Sequence, residues 1–189
     1  HRHHSLANVV VEACTAAHHQ PRREERFGGK RPADVYLPHH YLGKPLAMDF
    51  AVTHPQQPTN LKFAGDLEPG SWATRYAETH KRAGAEECRQ HGVAFVPMIV
   101  ESFGAWSPEA MSTLKHIADQ YAKHQGIPAH TATDWLLTRL SVTLQRQNAR
   151  MLLARASFEA GCAPLPTQQH LDVASDVDLD DASSGGEDA

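Results

Sequence analysis

Two aspartates, Asp34 and Asp49, each stand in a short run of strand character, and the residues between them strongly limit how the chain can fold. The stretch Arg31–Thr53 reads RPADVYLPHHYLGKPLAMDFAVT. Ala33 to Leu37 and Ala47 to Thr53 read as strands, while Pro38, Gly43 and Pro45 punctuate a turn between them. The expectation is a hairpin, with 14 residues separating the two carboxylates. Side chains alternate across a strand, so Met48, Phe50 and Val52 share one face and Ala47, Asp49, Ala51 and Thr53 the other. The apolar face goes to a core. Asp49 is left among small residues on the opposite face, where a hairpin can bring Asp34 to it. Two carboxylates converging on a cramped, partly dry surface repel each other unless a cation sits between them, so the pair predicts a divalent-metal site. Either Asp alone reads as an ordinary turn or strand-end residue satisfied by backbone amides. The two together carry the metal reading.

The rest of the chain supplies elements for that hairpin to pack against. Ser5 is placed to cap a helix whose residues Leu6, Val10, Ala13, Cys14 and Ala17 follow the helical period, with Glu12 on another side. Glu24 to Phe27 suits a short strand stopped by Gly28-Gly29, and His54 to Gly70 suits a loop. Ser71 is placed to cap a helix from about Trp72 to Gln90, closed by Gly92. Val93 to Val100, VAFVPMIV, is the near-continuous apolar run of a strand buried on both faces, but Pro97 within it demands a bulge or an edge. Ser107-Pro108-Glu109 opens a helix that stops before Gly126 and Pro128. A last amphipathic helix, from about Ala132 to Glu159, presents Leu136, Leu137, Leu140, Leu144, Leu152 and Leu153. The predicted order is helix, three strands, helix, strand, then two helices.

Charge is unevenly placed. After His170 the chain carries seven of its 22 acids and no base, which leaves residues 1–170 with three more bases than acids and all 14 histidines. That balance permits an anionic partner without demanding one. The acidic, Ser/Gly-rich end reads as a disordered tail. Cys14, Cys88 and Cys162 give neither a disulfide framework nor a zinc pattern, which favours a reducing compartment. No run approaches the roughly 18 apolar residues of a membrane span. The first residue is His rather than Met, as expected of a fragment of a longer protein.

The helix predicted over 72–90 carries a second signal. Ala73, Ala77, Lys81, Gly84 and Cys88 fall on one stripe, so Lys81 lies among small residues, where its ammonium either snorkels outward or meets anions. Tyr76 lies beside it. The histidine pairs His3-His4, His18-His19 and His39-His40 carry no metal expectation, because adjacent residues point apart on a helix or strand. Glu101, after the buried strand, suits an ion pair at a helix end or, less simply, a metal. The SFGAW turn around Trp106 suits a packing plug.

RPADVYLP, then LAMDFAVT, then a helix with Tyr and Lys, then FVPMIVESFGAW, resembles the restriction-like endonuclease domain that follows the reverse transcriptase in site-specific non-LTR retrotransposons. Similar segments close reverse-transcriptase-related reading frames in algae and other eukaryotes. The resemblance covers roughly Arg2 to Ala118. It implies an α/β fold, a PD-(D/E)xK nuclease core ordered αβββαβ over residues 1–126, followed by a helical extension over 127–160 and a disordered acidic tail over 161–189. It implies that Asp34 and Asp49 are catalytic metal ligands for Mg²⁺ or Mn²⁺ and that Lys81 and Tyr76 belong to the downstream catalytic segment. Glu12 matches the acidic residue some members carry on the first helix. The usual lysine two residues after the second carboxylate is replaced by Ala51, whose small side chain leaves room for Lys81.

The function implied is hydrolysis of DNA phosphodiester bonds, with the DNA backbone followed by Arg2, Arg22, Arg23, Lys30 and Arg31. A reverse-transcriptase domain upstream in a longer polyprotein, an intracellular, nuclear location and no membrane partner go with it. Two other readings stand beside it. One is an inactive remnant that keeps the nuclease fold as a DNA- or protein-binding module; the other is an unrelated small α/β interaction domain without metal.

Overall fold

The computed structural model describes residues 2–26, 33–40, 43–56 and 68–159. The chain divides into two units, His1–Arg150 and Met151–Ala189. The first is a mixed α/β unit. Its elements run α1 (Arg2–Ala16), β1 (Arg22–Arg23), β2 (Val35–Leu37), β3 (Leu46–Thr53), α2 (Ser71–His80), α3 (Arg82–Gln90), β4 (Ala94–Glu101), α4 (Pro108–Gln125) and α5 (Ala129–Glu159). The second unit is described only as the last turns of α5, Met151 to Glu159. The expected tail over 161–189 lies outside the described residues, as do Phe27, Gly28, Gly29 and most of the loop expected between His54 and Gly70.

The sheet has four strands in the order β1-β2-β3-β4. The hairpin is present: β2 pairs antiparallel with β3, Val35 opposite Met48 and Leu37 opposite Leu46. β4 returns parallel to β3 through the α2–α3 crossover, with Asp49 opposite Pro97 and Thr53 opposite Glu101. β4 is an edge strand of the described sheet, and that answers the proline: Pro97 has no N–H to offer a further strand.

The alternation along β3 sorts the layers. Leu46, Met48 and Phe50 face a core built with Leu6 and Val10 of α1, Leu114 and Ile117 of α4, and Leu136, Leu140 and Leu144 of α5. Ala47 faces the other way, into a smaller cluster with Cys88 of α3 and Val93. The sheet is therefore covered by α1, α4 and α5 on one face and by α3 on the other. Leu152 and Leu153, expected to continue the apolar stripe of α5, are 67% and 49% exposed.

Helix ends show where local signals suffice. α4 begins as expected: the Ser107 hydroxyl accepts from the Ala110 N–H, Pro108 is the first helical residue, and Gly126 closes the helix at φ 66°. α1 departs from expectation by starting at Arg2, so Ser5 is a helical residue rather than its cap. The helix expected over 72–90 is broken at Lys81, whose φ of −108° and ψ of 2° separate α2 from α3. Ser71 does not cap α2 either. Gly70 occupies the cap position at φ 91°, and a carboxylate from β4 supplies the acceptor: Glu101 Oε1 takes the N–H groups of Gly70 and Trp72 at 2.9 and 3.1 Å. The buried Glu101 is thus a capping group and lies four residue pairs along the ladder from Asp49. Trp106 is buried, as a packing plug should be.

Candidate functional site

The site is built on the small-residue face of β3, where the crossover helices pass over the sheet. Asp49 projects there from the middle of β3. The break in the crossover places Lys81 at the junction of α2 and α3, and its ammonium lies 2.8 Å from Asp49 Oδ2. Both side chains are mostly buried, 17% exposed for Lys81 and 21% for Asp49. Burial pushes the Asp49 carboxyl above its usual range; the Lys81 hydrogen bond and charge oppose that shift, and the charge of Asp34 reinforces it. Tyr76 stands beside the lysine, with the ammonium 5.9 Å from its ring centroid, and its ring lies 4.5 Å from that of His80, tilted by 41°. Lysine therefore meets anions rather than snorkelling away from them.

Asp34 reaches the same place from the end of β2. The ladder's last pair is Val35 with Met48, and one residue earlier the Asp34 N–H donates to Met48 O at 3.0 Å. Its side chain then does what a longer strand would have done: Oδ2 accepts the Phe50 N–H at 2.9 Å. One oxygen is held by the backbone of β3, which orients the carboxylate, and its charge acts on the Asp49 carboxyl. The remaining oxygen is the one that can meet a cation.

The first turn of α1 adds residues that the sequence did not single out. His3 and His4 bring their ring centroids within 4.1 Å of each other, and one ligand atom from each, with one from Asp34, lie within 4.8 Å of one another. This corrects the expectation that adjacent histidines point apart: at the start of a helix both side chains can swing back over the end, where Asp34 lies. Burial and the neighbouring His4 charge pull the His3 pKa down, while Asp34 works against them. Nothing local in HRHH reports this, because the partner lies 30 residues away.

Other expected site residues fall elsewhere. Glu12 is an exposed residue paired with Arg139 of α5. It stands nine residues beyond His3, about 13 Å along a helix rising 1.5 Å per residue, so the structure does not bring it to the carboxylates. Arg2 donates to Asn148 Oδ1 at 3.0 Å, and burial lowers its pKa. Arg22 pairs with Glu25 at 3.5 Å, and Arg23 has a buried Nη1 without a hydrogen-bond partner among the described residues. Lys30 and Arg31 lie outside the described residues.

The chemistry open to this arrangement follows from its donors. One carboxylate, Asp34, beside two imidazoles can hold a divalent cation, and Lys81 in contact with the second carboxylate, Asp49, adds a fixed positive charge. Together they suit an anionic ligand such as a phosphate. The fold and site define a mixed α/β protein with a carboxylate–lysine–histidine cluster at one end of its hairpin. No protein-family model matches the chain, and no curated protein matches it in sequence.

Proposed function

We propose that the chain is a metal-dependent DNA endonuclease domain with a restriction-endonuclease-like core, belonging to a retroelement-derived protein. The observation that carries this reading is the Lys81–Asp49 contact at 2.8 Å, with Asp34 held at the end of β2 by the Phe50 N–H and near enough for its charge to act on the Asp49 carboxyl. The order αβββααβ, with the crossover helix in two pieces, and the sheet order β1-β2-β3-β4, antiparallel twice and then parallel, support the same reading. Ala51 is half-buried on β3, two residues from Asp49, and Lys81 supplies from the crossover the cation that position 51 lacks.

Asp34 and Asp49 would hold Mg²⁺ or Mn²⁺. Such an ion supplies a more acidic water and neutralises charge on the scissile phosphate. Lys81 would add an ammonium that opposes the negative charge growing on the phosphoryl oxygens, and its partial burial keeps that charge poorly screened. Asp34, held by the Phe50 N–H, keeps the carboxylate pair in position without reorganisation. Tyr76 flanks the ammonium and limits its movement. DNA, an upstream reverse-transcriptase domain and a nuclear location belong to this proposal.

The test is nicking of supercoiled DNA with Mg²⁺ or Mn²⁺. Wild-type chain should nick, Asp34→Ala and Asp49→Ala should lose at least a hundredfold, and Glu12→Gln should match wild type. Equal activity in the two Asp variants would sink the proposal.

A second reading is favoured by the same contacts seen differently. The Lys81–Asp49 pair and the Asp34–Phe50 hydrogen bond both hold the fold together. A chain that kept these contacts for stability alone would be an inactive nuclease-fold module binding DNA or protein, showing salt-dependent DNA binding without metal-dependent cleavage.

A further inference from the structure

We propose that His3, His4 and Asp34 form a site for a borderline transition-metal dication, with Zn²⁺ and Co²⁺ as its best ligands, beside the place where Asp49 meets Lys81. The geometry is the starting point. Among the described residues, this is the group of three His, Cys, Asp or Glu residues whose ligand atoms all lie within 4.8 Å of one another. A four-coordinate ion with donor bonds near 2.0–2.1 Å needs its ligand atoms about 3.3 Å apart, a change of side-chain rotamer rather than of backbone.

The donor chemistry then selects the ion. Two imidazole nitrogens and one carboxylate oxygen suit zinc, cobalt, iron and manganese, whereas Mg²⁺ prefers oxygen and water. The donors are also supported from behind. Asp34 Oδ2 accepts from the Phe50 N–H, which orients the carboxylate as outer hydrogen bonds orient metal ligands elsewhere. Arg2, the residue before His3, is tied to Asn148 of α5 at 3.0 Å, which anchors the first turn of α1. Leu6 and Ala7, one turn on, are buried in the core and fix the helix against the sheet. The positive end of the α1 dipole opposes a cation here, and the charges of Asp34 and Asp49 offset it.

Three other histidines make a useful contrast. His19, His40 and His116 have ring centroids 6.1 and 5.0 Å apart in sequence along the row, and His19 Nε2 and His40 Nδ1 are buried without hydrogen-bond partners among the described residues. Their ligand atoms do not meet the 4.8 Å condition, so they serve as the control.

This proposal rests on the metal reading above only through Asp34. Its test is Co²⁺ titration of the full chain, followed by visible absorption and by Zn²⁺ competition. The expected result is one tight equivalent with the intense d–d bands of a low-coordinate nitrogen–oxygen site, displaced by Zn²⁺ and not by millimolar Mg²⁺. His3→Ala, His4→Ala and Asp34→Asn should each weaken it at least tenfold, and His116→Ala should leave it unchanged. Asparagine keeps an acceptor for the Phe50 N–H, and the histidines are exposed or half-buried, so these variants should fold; circular dichroism checks that. Co²⁺ binding lost in His116→Ala, or untouched by all three site variants, would overturn the proposal. Tight Co²⁺ binding in a chain that fails to nick DNA with any metal upholds this site and removes the nuclease reading. Mg²⁺-dependent nicking that needs Asp34 and Asp49, with no Co²⁺ equivalent bound, does the reverse.

Discussion

Replacing Lys81 with methionine isolates the contact on which the candidate site depends. At 2.8 Å and an effective dielectric near 20, the direct attraction between Lys81 and Asp49 is about 6 kcal/mol before desolvation is counted. Removing one partner of a fully buried pair costs about 3–5 kcal/mol, and an exposed pair is worth about 0–1 kcal/mol. With each side chain about one-fifth exposed, the expected loss lies between these, at about 2 kcal/mol at pH 8. In a unit of this size that lowers Tm by about 4–8 °C.

The pH dependence separates charge from packing. Asp49 already has its carboxyl raised by burial, against the pull of Lys81, so removing the lysine raises it further. A carboxyl raised in the folded state contributes stability that is present below its unfolded pKa and is lost as pH rises through the folded value. The penalty of Lys81→Met should therefore be full at pH 8 and shrink as pH falls and Asp49 takes up a proton. Urea unfolding of wild type, Lys81→Met, Asp49→Asn and the double variant, at pH 8 and pH 4.5, measures this as a coupling energy. A coupling below about 0.5 kcal/mol at pH 8, or a penalty that does not change with pH, would refute the reasoning.

Glu101→Ala should destabilise by about 2–3 kcal/mol, because it strips the acceptor from two N–H groups at the start of α2, while Glu101→Gln should cost less; thermal melts of both variants check it. His40 has its pKa pushed down to about 4 by burial first, then by His116 and His19. The unfolded chain takes the proton near pH 6.5 and the folded chain does not, so stability falls as pH drops from 6.5 towards 4. Discounted for its exposure to water, the effect is about 1–2 kcal/mol, and His40→Gln should flatten that part of the stability profile in urea unfolding.

Much of the fold is legible in single segments, for local reasons. The strand alternation of Met48, Phe50 and Val52 against Ala47, Asp49 and Ala51 needs only the pleat of a strand, and the core lies on the expected side. Ser107-Pro108 and Gly126 bound α4 because capping and left-handed closure are settled within one turn. Pro97 announced a bulge or an edge because the interior of a sheet does not tolerate a missing N–H, and β4 is an edge of the described sheet.

The candidate site was legible only in part. Asp34 and Asp49 stand out because the turn residues between them specify a hairpin, and the stripe on the crossover marks Lys81 as out of place among small residues. The 2.8 Å contact itself joins residues 32 apart in the chain and depends on the helix breaking at Lys81, which no cap or glycine at that position announces. Glu12 is paired with Arg139, from a helix more than 120 residues away, a contact its own segment does not report. His3 and His4 were passed over for the complementary reason: their own segment sends them apart, and only the end of β2 arriving beneath the first turn of α1 gives them a common point. Sequence by itself determined the two faces of β3, the hairpin that carries the carboxylates and the bounds of α4, because each is decided by neighbours within a few residues. Tertiary structure alone decided which cation meets Asp49, what caps α2 and which helix end reaches Asp34, because those contacts form between segments whose meeting is set by packing of the whole sheet.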